Sequence, residues 1–165
     1  HDFLAEVCVE WEASTAAVEA AGVPRAVIRT GLPLTEEGGA FPLLKLPFTF
    51  FVGGPFGDGQ QYYSWLHYDD HIRAMRFLID ARADGVYNLT APNPVTNREF
   101  GQTLGRVMRR PAWLPVPAFA MKLALGEVAS VVLDGQRVLP ARLLAFGFHF
   151  DYPDLEPALK EILGK

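Results

Sequence analysis

His67 and His71 stand four residues apart with Asp69 and Asp70 between them. Two imidazoles one helical turn apart can share a zinc ion. Here, however, Asp69 reads as a helix N-cap and His67 as the end of the strand before it. The pair then shares no helical face and has no evident third ligand, so no metal site is expected. GGPFGDG, residues 53–59, holds the glycines of a phosphate loop, but a pyrophosphate needs a helix N-terminus directly after them, and Gln60 onward alternates like a strand. Proton transfer from a tyrosine assisted by a lysine four residues on is also missing: Tyr62, Tyr63, Tyr68, Tyr87 and Tyr152 are followed at that distance by Leu66, His67, Ile72, Ala91 and Glu156. Ser14, Ser64 and Ser130 lie outside any strained elbow that would expose a nucleophile. Cys8 falls on the apolar face of the first helical stretch, where a thiol is a small core residue. The acidic pairs Asp69–Asp70 and Glu36–Glu37 are adjacent, and adjacent side chains point apart. No residue is therefore assigned a catalytic role.

Bulk properties narrow the partners. The 165 residues suffice for a domain with its own core. A net charge of −4 argues against a nucleic-acid or anionic-membrane surface. The one dense basic spot, Arg106, Arg109 and Arg110, ends a predicted helix, where cations suit the helix dipole. A single cysteine rules out an internal disulfide framework and fits a reducing, cytoplasmic setting. No apolar run approaches the roughly 20 residues of a membrane span, and no signal peptide is recognisable.

These side chains must be positioned by elements legible from their periodicity. Phe3, Leu4, Val7, Cys8, Trp11 and Val18 recur at helical spacing up to Gly22. A chain that begins inside such a pattern is expected to be part of a longer one. Arg25 to Arg29 reads as a short buried strand broken at Thr30-Gly31. Pro42 and Pro47 limit FPLLKLPFTFF to a short helix and a loop. QYYSWLH is expected as one alternating strand, followed by a helix with Ile72, Met75, Phe77, Leu78 and Ile79 as its apolar stripe. Val86 to Leu89 is the next strand. Thr96 and Glu99 form a capping box, with Val95 stapling onto Phe100, ahead of a helix buried through Phe100, Leu104, Val107 and Met108. Beyond Pro111 come an apolar helix from about Pro117 to Ser130, a short one at Pro140–Ala145, an aromatic strand-like stretch and a terminal helix. Strands alternating with helices point to an α/β fold with a parallel sheet and a helical appendix.

The succession IRTG, GGPFGDGQQYYSWLHYDD, GVYNLTAPNPVTNREFGQTLGRVMRRP and GQRVLPARLLAFGFHFDYPDLEPALKEIL resembles the C-terminal half of extended short-chain dehydrogenase/reductases. It is most similar to their epimerase-like subfamily, the NAD-dependent epimerase/dehydratase or nucleoside-diphosphate-sugar epimerase type. The resemblance implies the C-terminal part of a Rossmann-like parallel sheet with a mostly helical substrate lobe. It divides the chain into residues 1–113, the end of the NAD(P)-binding domain with substrate-lobe insertions, and residues 114–165, a small helical domain of unknown function. The glycine fingerprint and the active-site tyrosine would both precede Asp2. The chain is thus read as the substrate-side half of an epimerase, an isomerase or oxidoreductase using NAD or NADP, itself inactive and binding no cofactor alone. By the same resemblance Arg29, Thr30, Gly31 and Leu32 would lie beside the nicotinamide, and Tyr63, Trp65 and His67 along the pocket of a small-molecule substrate of nucleotide-sugar type. Arg137 would meet a substrate anion. The competing expectation is a non-catalytic binding or assembly module that pairs through an exposed sheet edge, as a homodimer or strand-exchanged oligomer.

Overall fold

The computed structural model describes residues 3–115 and 135–165; the helix expected at 117–130 lies outside them. Two helices, α1 (Phe3–Ser14) and α2 (Ala17–Ala20), lead into β1 (Ala26–Thr30) and β2 (Leu32–Leu34). Then follow α3 (Phe41–Thr49), β3 (Tyr62–Tyr63), β4 (Trp65–His67), α4 (Tyr68–Asp80), β5 (Gly85–Leu89), β6 (Val95–Thr96) and α5 (Asn97–Met108). Two C-terminal helices, α6 (Ala141–Ala145) and α7 (Leu155–Ile162), complete the described elements.

Strands β1 and β5 pair in parallel from Ala26↔Gly85 to Thr30↔Leu89. Strands β2 and β4 pair in parallel from Leu32↔Trp65 to Leu34↔His67. Strands β3 and β6 run antiparallel. Gly31 is the hinge between the parallel ladders: its N–H donates to Leu89 O at 3.0 Å, and the next N–H, of Leu32, donates to Ser64 O at 2.9 Å. A Cβ at position 31 would run into that Ser64 carbonyl and the Thr90 methyl. The chain therefore changes ladders only where it has no side chain.

Several local expectations are corrected by these pairings. QYYSWLH is two strands, because Tyr62–Tyr63 pairs antiparallel with β6 and Trp65–His67 pairs parallel with β2; between them the Ser64 hydroxyl donates to Gln136 O at 2.7 Å and accepts from Val138 N–H at 2.9 Å. Beyond the break expected at Thr30-Gly31 the chain resumes as a strand, Leu32–Leu34, whose Pro33 is tolerated because its far side carries no described partner. The short helix and loop expected around Pro42 and Pro47 are present: α3 has 9 residues, with Pro47 inside it at the loss of the one hydrogen bond its own N–H would make. The aromatic stretch after α6 forms no strand. Its rings pack instead on α4 and each other, Phe146 and Phe148 lying 5.7 and 5.6 Å from Phe77, and Phe150 4.9 Å from Phe148.

The interior has two clusters. Phe100, Leu104 and Val107 of α5 pack with Phe41 and Phe48 of α3 and with Leu155, Ala158 and Leu159 of α7. Ala74 and Leu78 of α4 pack with Tyr87 and Leu89 of β5, Leu143 of α6 and Phe148. The capping box of α5 is present in full, the Thr96 hydroxyl accepting from Glu99 N–H and the Glu99 carboxylate from Thr96 N–H. By contrast, the apolar face of α1 finds no cover among the described residues: Trp11 is 75% exposed and Cys8 is exposed, not a core thiol. Ile72 and Ile79 of the expected α4 stripe are likewise exposed. Among the described residues, no helix is long and apolar enough to cross a membrane.

Substituting Gly31→Ala should lower stability by roughly 2 kcal/mol, within the range for forced overpacking. The check is a fall in the urea midpoint with an unchanged denaturant slope.

Candidate functional site

The C-terminal ends of β1 and β5 meet the starts of β2 and β4 around Gly31, the kind of place where open α/β sheets bind ligands. The four residues Arg29 to Leu32 run through it. Arg29 is held by α1, its Nε and Nη2 donating to the two Glu12 carboxylate oxygens at 2.7 and 2.8 Å. This forked pair holds the Glu12 carboxyl below its ordinary pKa and the Arg29 guanidinium above its own. The Thr30 hydroxyl lies 3.2 Å from His71 Nε2 on the first turn of α4. Partial burial pushes the His71 pKa down, so the neutral ring is favoured there. Leu32 is half-buried and faces the Trp65 register position.

The other expected residues are more deeply set. Tyr63 is 7% exposed and packs edge-on against Phe100 at 5.4 Å. Its hydroxyl has no hydrogen-bond partner in good geometry, and burial pushes its pKa up to about 12, the nearby Asn97 side chain pulling weakly the other way. Trp65 is fully buried, with its indole N–H donating to Asn93 O at 3.0 Å. Arg137 is exposed and lies over the Tyr62 ring at 5.8 Å. It reaches this wall through the Ser64 contacts with Gln136 and Val138.

His67 is buried, and it takes the capping role expected of Asp69. Its Nδ1 accepts the Asp69 N–H at 3.1 Å, which places the ring proton on Nε2, donated to Glu161 at 2.8 Å. The ring stacks on Tyr152 with centroids 3.9 Å apart. Partial burial first, then the carboxylates of Glu161, Asp69, Asp151 and Asp70, raise the Tyr152 pKa.

Asp70 had no separate role in the sequence, yet it is the fully buried acid of the region. It accepts from Arg73 Nη1 at 2.6 Å, from Asp151 N–H at 3.0 Å and from Tyr152 N–H at 2.9 Å. A signal existed: Asp70, Ala74 and Leu78 are the buried face of α4 and recur every four residues. Among the described residues there is no group of three or more histidine, cysteine or acidic side chains able to hold a metal ion. The site is a framed wall, most of whose polar groups are already engaged with one another. Replacing Asp70→Ala should cost about 3 kcal/mol, as for the loss of one partner from a buried ion pair, and should free the loop at 151–152. Hydrogen exchange at the Asp151 and Tyr152 amides is the check, since a purely local change in α4 would leave them protected.

Comparison with known proteins gives a consistent picture. A family described as a domain of unknown function, DUF1731, matches residues 116–162. An epimerase family protein of Staphylococcus saprophyticus is 45% identical over 98% of this chain and 55% of its own length. A chloroplastic epimerase family protein of Arabidopsis thaliana is 48% identical over 98% of the chain and 47% of its own length. The chain thus spans about half the length of the curated relatives it matches. Among solved structures, a human epimerase family protein crystallised with NADPH has a TM-score of 0.90 at 36% identity, over 99% of this chain and 56% of that one. A nucleoside-diphosphate sugar epimerase from Corynebacterium glutamicum has a TM-score of 0.76 at 39% identity, over 99% of this chain and 31% of that one. The likeness to the epimerase-like family and the Rossmann-like α/β class are both borne out.

Proposed function

We propose, from a chain that shares the C-terminal part of the epimerase family's fold, that it is the substrate-side half of an NAD(P)-dependent epimerase or oxidoreductase acting on a nucleotide sugar. The observation that carries this reading is the Gly31 ladder change at the C-terminal ends of β1 and β5, where open α/β sheets hold their ligands. The solved human relative, crystallised with NADPH, and the corynebacterial relative, named as a sugar-nucleotide epimerase, support the cofactor and substrate classes.

In this reading the nicotinamide cofactor supplies hydride transfer, and residues of this chain only shape its surroundings. Gly31, closed against the Ser64 carbonyl and the Thr90 methyl, holds the turn between the ladders, and half-buried Leu32 gives the nicotinamide ring an apolar neighbour. Thr30, tied to His71, and Arg29, tied to Glu12, fix the rim. Tyr63, Trp65 and His67 stiffen the substrate wall, and exposed Arg137 offers its guanidinium to a substrate phosphate. The pyrophosphate loop and the proton-transferring tyrosine belong to the other half, so the 165 residues alone bind no cofactor and turn nothing over. The family match at 116–162 supports a boundary near residue 113 between the sheet domain and a small helical one. The exposed Cys8 thiol suits a reducing compartment such as the cytoplasm, although one relative is named as chloroplastic.

Thermal shift with NADH and NADPH should raise the melting temperature of the intact protein for one cofactor and leave the 165-residue chain unmoved. Leu32→Glu in the intact protein should weaken that cofactor about tenfold, near 1.4 kcal/mol. A shift with the 165-residue chain, or an unaffected Leu32→Glu variant, contradicts the assignment.

A second reading is favoured by the uncovered apolar face of α1 and by Ile28, 40% exposed on β1, which has one open edge among the described residues. Such a surface pairs with another copy. Light scattering of the 165-residue chain at micromolar concentration should give a dimer, and a monodisperse monomer excludes this reading.

A further inference from the structure

We propose that the cavity between the last turn of α5 and the side of α7 binds a phosphorylated small molecule through a diphosphate-type group. The cavity measures about 530 Å³ and is lined by Arg106, Val107, Arg109, Glu156, Lys160 and Lys165. The lining thus holds four cationic residues and one acidic side chain. That carboxylate is fully used: Arg106 Nη1 lies 2.9 Å from one Glu156 oxygen and Lys160 Nζ 2.8 Å from the other. The two cations hold the Glu156 pKa below its ordinary value, Lys160 contributing most. Arg106 is further steadied by Nη2 donating to the Thr103 hydroxyl at 3.3 Å. Arg109 and Lys165 have no acidic side-chain partner among the described residues, and both line the same cavity.

The cations on the α5 terminus are partly explained by its dipole. That account does not reach Lys165, nor does it explain a surplus of positive charge gathered in one hollow of a chain whose net charge is −4. Like charges held together repel one another unless an anion joins them. The backbone adds a second anomaly. Arg109 caps α5 in the left-handed conformation, φ 55°, a position where glycine is the usual occupant. A strained arginine is thus kept at the rim.

Guanidinium forks and ammonium groups around a small hollow suit the clustered oxygens of a diphosphate. No aromatic ring lines the cavity to stack a nucleic-acid base. The site is distinct from the Gly31 region. Helix α5 enters at Thr96, close to the strand ends, and its 12 residues carry the chain about 18 Å from there before Arg109.

The test is calorimetric titration of the protein with pyrophosphate, against sulfate as a simple anion. Pyrophosphate should bind at submillimolar concentration in 50 mM salt, more tightly than sulfate and more weakly at 200 mM salt. The double variant Arg109→Gln with Lys165→Gln should lose at least tenfold in affinity while melting as the parent does. Arg76→Gln, an exposed charge change on α4, should bind as the parent does. Pyrophosphate binding no tighter than sulfate, or binding unchanged in the double variant, overturns the proposal. The readout needs no cofactor and no turnover, so it stands or falls apart from the epimerase reading.

Discussion

A carboxylate that gives up all contact with water costs several kcal/mol unless its charge is met, and Asp70 is 0% exposed. Its compensation comes from a guanidinium on its own helix and from two backbone amides of the C-terminal segment. Those two amides fix the chain at Asp151 and Tyr152, and everything nearby follows from that. Tyr152 is delivered onto the His67 ring, and α7 starts at Leu155, so that Glu161 reaches His67 Nε2. The end of β4, the start of α4 and the C-terminal helix are thereby one polar knot. It sits at the boundary between the two apolar clusters, one built on α5 and α7, the other on α4 and β5. Apolar packing alone would not fix how these clusters meet, because it is not directional. The hydrogen bonds of Asp70 supply that direction.

The Gly31 hinge depends on the same knot from the other side. β4 must stand at a defined height for Ser64 to offer its carbonyl to Leu32 and its hydroxyl to the 136–138 segment. The same strand height lets the Trp65 carbonyl accept the Ala91 N–H at 2.7 Å, joining the two parallel ladders beyond Gly31. The pocket wall is therefore rigid where it is buried. Strand β1 and helix α1 are different. Their apolar side chains stay open, and Arg29–Glu12 and Arg25–Glu19 are ion pairs at the surface, worth little individually. Rigidity lies on the Asp70 side of the site, and adaptability on the α1 side.

How much of this was legible depends on sequence distance. The strand at Val86 to Leu89, the α5 capping box and its Phe100, Leu104 and Val107 face all appear where the periodicity put them. Each is decided within one or two helical turns or one strand. The candidate site was reached by another route. Nothing in the spacing of Arg29, Thr30, Gly31 and Leu32 announced a ligand, and they entered only through resemblance to a family. The reason is chemical: the groups expected of a nucleotide fold's reaction, its glycine loop and its tyrosine, are not in these residues.

By itself the sequence determined the α/β class, the order of the described elements and the capped α5 helix. These follow from interactions between near neighbours. Tertiary structure alone decided that Asp70 and not Asp69 is the critical acid, that His67 is a buried cap, and that QYYSWLH breaks at Ser64. It also decided that Cys8 faces outward. In the first three cases the deciding partner is remote: Tyr152 is 82 residues from Asp70, Glu161 is 94 from His67, and the halves of QYYSWLH pair with different strands, β6 and β2. Two adjacent aspartates have the same local propensity. Only the arrival of a distant backbone, with amides needing an acceptor, makes burying one of them favourable.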